Sequence, residues 1–236
     1  MALTVIKNWD NKTWLSSQNY IKAFNKFLLK NINLSSNSKI LDVGCGRGKI
    51  LGNLSSTLKL KDKPLGIDIV NHKDKDKRIN FKKINASKFF SINKEKFDLI
   101  LIKQTIHLLN FNEIKKILEL SKKNLSTKGK VFILTLEVGK NEIPTFKLMK
   151  TKLKLSLDRD KKIIKMIKRL YPLSIKKKFE FKVRIMKTRY LNMIKNKYMS
   201  TLLSLSNNEI LEGLEEIDLK YKKIINFEDK LICMIL

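Results

Sequence analysis

The stretch Lys39-Ile-Leu-Asp-Val-Gly-Cys-Gly-Arg-Gly-Lys49, KILDVGCGRGK, decides how the rest of the chain is read. An apolar run, Lys39–Val43, reads as a buried strand. Three of the eight glycines in 236 residues then follow at alternate positions, and KILGNLSSTL reads as a helix. Glycine reaches backbone conformations closed to other residues and lets a ligand approach the main chain. The helix beyond presents unsatisfied N–H groups to an anion or polar ligand. A strand–glycine loop–helix unit of this kind predicts a site for a nucleotide-like molecule.

Outward from the loop the pattern repeats. KPLGIDIV, INFKKINA, KFDLILIK and KVFILTLE read as strands, and the continuous apolar character of KFDLILIK suits a parallel strand buried on both faces. An amphipathic helix is expected over Asn112–Leu125. Strands alternating with helices predict an α/β fold with a doubly wound, mostly parallel sheet. Before the loop, residues 8–33 read as a helix with Ile21, Phe24, Phe27 and Leu28 on one face. After Pro144 the rhythm changes. Lys147–Leu170 reads as a long lysine-rich helix, and KKFEFKVRIMK as a strand whose Phe179, Phe181, Val183 and Ile185 share a face. Residues 188–221 read as helical, punctuated by SLSNNE, with a capping box at Ser206 and Glu209. IINFEDKLICMIL closes the chain as a last strand. No internal repeat or linker stands out.

A second acid supports the loop. Asp68 ends the strand LGID, and an acidic residue there, some 20 residues past the glycines, can accept ribose hydroxyls. The spacing then separates two ligands. A dinucleotide fingerprint is Gly-x-Gly-x-x-Gly. Here it is Gly44-x-Gly46-x-Gly48, with Asp42 two residues ahead. With that motif the chain resembles the class I S-adenosylmethionine-dependent methyltransferases. The resemblance implies a Rossmann-like seven-stranded sheet with an antiparallel last strand and a helical lid or insertion. It implies S-adenosylmethionine as cofactor, its methionine part held by Asp42, Gly44, Cys45, Gly46 and Gly48. Asp68 would take the ribose and Ile69 would pack on the adenine. Asn85 and Ala86 stand where the family often has an Asp-Ala pair for the adenine amino group. Lys103 and Gln104 fall in the segment that the family places beside the cofactor. The likeness covers residues 36–137 well. Beyond them the layout is similar to the trans-aconitate-methyltransferase-like branch.

One domain is therefore expected over 1–236. Residues 1–35 would form an N-terminal helical lid, 36–137 the cofactor core, 144–222 a substrate-side elaboration carrying strand six, and 223–236 the final strand. Methyl transfer is an in-line displacement whose rate comes largely from positioning; a base is needed only for a protonated nucleophile. His107, near the cofactor segment, is the candidate base. His72 lies in the charged run NHKDKDKR and is expected to be solvated. Candidate acceptor-binding residues are Arg189 with Tyr190, whose guanidinium could hold an anionic group, and Trp14 and Tyr20, with Trp9, on the lid.

The net charge of +29 suggests phosphate backbones. Yet only six of the 51 basic residues are arginine, and lysine, asparagine and isoleucine all have AT-rich codons. Compositional drift explains the charge more simply, so a nucleic-acid partner is the less favoured reading. KQTIH after strand four lacks the Asn/Asp-Pro-Pro-aromatic signature that resembles nucleobase amino-methylating enzymes. The main expectation is a small-molecule methyl acceptor. The alternatives are an RNA or protein methyltransferase, or a non-catalytic cofactor-binding protein on the same fold. Cys45 and Cys233 form no metal or disulfide spacing, no segment has the length to span a bilayer, and MALTVIKNWD has no apolar leader. A reduced, cytoplasmic protein without a metal is the expectation.

Overall fold

The computed structural model describes residues 13–236. Trp9 and the first part of the expected 8–33 helix lie outside these residues. A 3-10 turn at Trp14–Ser16 leads into α1 (Gln18–Asn31). The core unit follows as β1 (Ile40–Val43), α2 (Lys49–Leu58), β2 (Leu65–Asp68), β3 (Asn80–Lys83), α3 (Ala86–Ile92), β4 (Phe97–Lys103), α4 (Phe111–Lys123) and β5 (Leu125–Leu136). Then come α5 (Lys147–Leu170), β6 (Ile175–Met186), α6 (Lys187–Lys195), α7 (Asn207–Lys220) and β7 (Ile224–Ile235). The seven strands form one sheet in the order β3-β2-β1-β4-β5-β7-β6. β1 to β5 pair in parallel, and β7 runs antiparallel between β5 and β6. This is the Rossmann-like, doubly wound α/β sheet expected from the sequence, antiparallel last strand included.

The period-2 geometry of a strand explains the double-sided core. Along β4, Leu99 and Leu101 join one apolar cluster and Ile100 and Ile102 the other. The first cluster holds α1 and α7. Tyr20 packs edge-on against Phe179 and Phe181 of β6 at centroid distances of 5.5 and 5.1 Å. The second holds α3, α4 and part of α5. Helix starts follow local chemistry. Ser17 caps α1 by accepting from the Tyr20 N–H at 3.2 Å, and Ser206 with Glu209 closes the expected capping box on α7. Among the described residues no helix is long and apolar enough to cross a membrane.

Four local expectations need correction. α4 stops at Lys123, because Asn124 caps it, and β5 begins at Leu125 rather than Lys130. An irregularity lies between the Phe97↔Leu125 and Leu99↔Lys130 pairings. There Gly129 is needed, since a Cβ would stand 2.5 Å from the Phe97 carbonyl oxygen. α3 had no counterpart in the reading; the Asn85 side chain starts it by accepting from Ser87 N–H at 2.8 Å. The break expected at SLSNNE within 188–221 begins earlier, where α6 ends at Lys195 and a 3-10 turn at Ser200–Leu202 precedes α7. His72, expected in solvent, is only 4% exposed.

Candidate active site

The C-terminal ends of β1, β2 and β4 open on one cavity of about 550 Å³. This is where ligands bind open parallel sheets. Gly44 has φ +75°, and a Cβ there would lie 2.1 Å from Thr105 Oγ1, so the loop lies directly on the turn after β4. Gly46 has φ +55° and faces open space. Its N–H donates to Asp68 Oδ2 at 2.9 Å, and the Val70 N–H donates to Oδ1 at 2.9 Å. Asp68 thus ties the glycine loop to the end of β2. A carboxylate has about four lone-pair sites, so both oxygens keep acceptor capacity toward the cavity.

Seven of the eleven expected cofactor residues line this cavity: Gly44, Asp68, Ile69, Asn85, Ala86, Lys103 and Gln104. Gln104 holds φ +54°, a left-handed conformation that costs a non-glycine residue about 1–3 kcal/mol and concentrates at ligand sites. The Asn85 oxygen, expected to meet an adenine amino group, is already engaged in capping α3. Asp42, Cys45, Gly46 and Gly48 are not among the residues that line the cavity. Asp42 is 5% exposed, and burial raises its carboxyl to about 7 against the pull of Lys103, with Asp68 adding to the rise. Cys45 Sγ packs over Gly66, and burial pushes its thiol up, as do Asp42 and Asp68.

The far wall comes from residues with large sequence separation. Trp14 lines the cavity and donates its indole N–H to Asp229 Oδ2 on β7 at 3.0 Å, across 215 positions. Burial pushes the Asp229 carboxyl up, opposed by Trp14, by the charge of Lys103 and by the Tyr20 hydroxyl. The Lys103 ammonium sits 5.4 Å from the centroid of the Tyr20 ring and 5.5 Å from that of Phe24, a cation–π arrangement. α5 contributes Leu153, Ser156 and Asp160, and the segment after α6 contributes Tyr198 to Thr201, Leu203 and Ser204.

Three expected acceptor residues are not in the wall. Tyr20 is fully buried among the phenylalanines of β6. Tyr190 is fully buried and donates to the Pro144 carbonyl at 2.6 Å, with Tyr198 Oη 3.0 Å away. Arg189 is exposed on α6. The hydrophobic effect draws the two tyrosine rings into the core, and the Tyr190 hydroxyl finds partners there. His107 does line the cavity, on a 3-10 turn. Burial lowers its imidazole to about 4, and Arg159 adds to the shift. Arg159, which the sequence reading passed over, donates to the carbonyls of both His107 and Leu109 and so fixes that turn to α5. Asp160 and Asp229 were also passed over. Each is flanked by charged residues, Arg159 and Lys161 or Glu228 and Lys230, as a surface acid would be. No group of residues suited to hold a metal ion occurs among the described residues.

A family model described as a methyltransferase domain matches residues 34–198, about 70% of the chain. The chain belongs to that family. The match reaches well past the 36–137 core into the segment that builds the far wall. It bears out the enzyme class expected from the glycine loop and Asp68, a methyltransferase of the S-adenosylmethionine-dependent type. No curated protein matches the sequence. Among solved structures, the plantazolicin methyltransferase BpumL, in complex with a monoazolic desmethylPZN analog and SAH, is 18% identical, with a TM-score of 0.54, covering 97% of this chain and 86% of its own. A protein from Anabaena variabilis ATCC 29413, designated a methyltransferase of an antibiotic biosynthesis pathway, is 13% identical with a TM-score of 0.59, covering 92% and 99%. Precorrin-6y C5,15-methyltransferase from Geobacter metallireducens GS-15 is 10% identical with a TM-score of 0.52, covering 93% and 87%. At these identities the likeness is one of fold, and the methyltransferase shares that fold along nearly its whole length.

Proposed function

We propose that this methyltransferase passes the methyl group of S-adenosylmethionine to a small-molecule acceptor held in the same cavity. The observation that carries the proposal is the continuity of that cavity from Gly44 and Asp68 to Trp14, Tyr198 and α5. A volume of about 550 Å³ lies within the range for small-ligand sites, roughly 300–1,000 Å³. The cofactor supplies an electrophilic methyl group on a sulfonium. Asp68 accepts its ribose hydroxyls, Gly44 and Gly46 admit its amino-acid part to the main chain, and Ile69 with Ala86 offers an apolar bed for the adenine. The mostly apolar wall, with a few hydroxyls and carboxylates, supports a small acceptor over an RNA strand or a protein chain. The BpumL complex, with a small azole-containing ligand beside SAH, supports the same class.

Calorimetry with S-adenosylmethionine and with its demethylated product tests the reading, followed by a labelled-methyl screen of metabolites with mass analysis. Both nucleosides are expected to bind and to raise the melting temperature by mass action. Absence of binding at millimolar concentration removes the proposal. Asp68→Ala is expected to weaken cofactor binding by about 1–3 kcal/mol, roughly 10- to 100-fold, since a charged acceptor is lost. Unchanged affinity would separate Asp68 from the ribose.

His107 takes a different part from the base expected of it. With its imidazole lowered to about 4, it is neutral at physiological pH and a weak proton acceptor there. We assign it to the wall as a neutral hydrogen-bonding group. The pH–rate profile is expected to carry no limb near 6.5 from this residue. Such a limb, abolished in His107→Gln, would restore it as the base. The same shift has a stability consequence. Between about 4 and 6.5 the unfolded chain binds the proton that the folded imidazole refuses, so His107 makes the fold less stable as pH falls through that window.

A further inference from the structure

Asp160 stands apart from the other acids of the site. It projects from the middle of α5 and is 3% exposed. The Thr135 hydroxyl donates to its Oδ2. Its Oδ1 is buried and has no hydrogen-bond partner among the described residues. Arg159, the adjacent cation, directs its guanidinium donors to the carbonyls of His107 and Leu109. Asp229 has its indole donor and Asp68 its two backbone N–H donors. Among these three cavity-lining carboxylates, only Asp160 has an oxygen that is both buried and without a hydrogen-bond partner.

A second orphan lies in the same wall. Thr201 Oγ1 is buried without a partner, and Thr201 lines the cavity on the 3-10 turn that packs against α5. Buried polar atoms are nearly always hydrogen-bonded, and an unmatched carboxylate oxygen is among the costliest exceptions. Two such atoms on contacting elements of one cavity mark a place prepared for a ligand. Their chemistry narrows the ligand. A bare carboxylate oxygen accepts only, so it selects a group carrying N–H or O–H and repels an anion. A hydroxyl both donates and accepts.

We propose that Asp160 and Thr201 form the acceptor-binding pair of this site, and that the acceptor is an amine. This rests on the small-molecule methyltransferase reading above. It replaces the anionic acceptor expected from Arg189, which is exposed away from the cavity. Asp160 accepts an N–H of the neutral amine and leaves its lone pair free to react. The nitrogen lone pair forms the new N–C bond as the sulfonium S–C bond breaks, its electron pair staying on sulfur. Nitrogen takes the positive charge and then releases a proton to solvent. Burial also holds the Asp160 carboxyl above its ordinary range, against Thr135 and Arg159, in keeping with a charge that lacks full compensation.

The test uses the full chain, labelled S-adenosylmethionine, and a panel of small primary and secondary amines, carboxylic acids and alcohols. Label is expected in amines. Asp160→Asn, which keeps the shape and removes the charge, is expected to lower kcat/KM for the best amine by roughly tenfold or more, mainly through KM. Binding of the demethylated cofactor should stay within about twofold, since the pair touches only the acceptor. The melting temperature should hold or rise, because a buried charge without full compensation is relieved. Thr201→Val should lower kcat/KM in the same direction with the fold intact. Label confined to acids or alcohols, a panel with no methylated amine, or Asp160→Asn with unchanged kcat/KM overturns the proposal. A lowered melting temperature in Asp160→Asn, with no effect of Thr201→Val, also overturns it by marking the carboxylate as structural. Failure of the wild-type chain to bind the demethylated cofactor is a separate result and strikes the cofactor reading itself.

Discussion

Asp229→Ala is expected to destabilise the fold by about 2–3 kcal/mol, the range for removing a charged acceptor and leaving its buried donor unpaired. The carboxylate is 1% exposed and accepts the Trp14 indole N–H at 3.0 Å. Removing it leaves that N–H buried and unpaired. It also removes a carboxylate whose charge, like that of Asp42, acts on Lys103. Trp14 packs edge-on against Tyr198 and Phe227 at 5.6 and 5.1 Å, so the loss reaches the cavity wall. Asp229→Asn is expected to cost less, because an amide oxygen still accepts from the indole. Chemical denaturation of the three proteins measures the difference. A loss below about 1 kcal/mol in the alanine variant would mean that the N-terminal segment is held by ring packing alone.

Gly44→Ala has the second large effect, about 2–3 kcal/mol in stability and roughly 100-fold in cofactor affinity. Left-handed backbone costs alanine about 1–2 kcal/mol, and the new Cβ would stand 2.1 Å from Thr105 Oγ1. Either the glycine loop or the turn after β4 must move, and both border the cofactor half of the cavity. Gly46→Ala gives the control. It carries the same kind of φ, but its Cβ would meet nothing within 4 Å, so only the backbone cost remains. Thr105→Ala in the Gly44→Ala background should recover the steric part and not the backbone part. A double-mutant cycle reads that split. Equal effects at Gly44 and Gly46 would refute the steric account.

Most of the cofactor half was legible because its signals are local. A four-residue apolar strand, three alternate glycines and an acid at the next strand end are dictated by backbone conformation and by the C-terminal edge of a parallel sheet. Each can be read within a few residues of itself. The capping box at Ser206 and Glu209 and the shared face of Phe179, Phe181, Val183 and Ile185 were legible for the same reason. Asn85 shows the limit of such reading. Its side-chain oxygen suits an adenine contact and a helix N-cap equally well, and the structure spends it on the cap of α3.

The acceptor half was not legible, because nothing local distinguishes a polar residue facing a cavity from one facing water. Tyr20 and Tyr190 were expected at a ligand and lie in the core, while His72 was expected in solvent and is buried. Asp160 and Asp229 sit among lysines in the sequence, like any surface acid. By itself, the sequence determined the mostly parallel sheet with its antiparallel last strand and the glycine loop at the end of its first strand, since periodicity and glycine placement act over short spans. Only the tertiary structure decided which carboxylates are desolvated and which of them are paired. That outcome depends on Trp14 meeting Asp229 across 215 positions, and on α5 and the turn at Ser200–Leu202 closing one wall together. Burial and pairing are set by neighbours distant in the chain, and they turn an ordinary aspartate into a site.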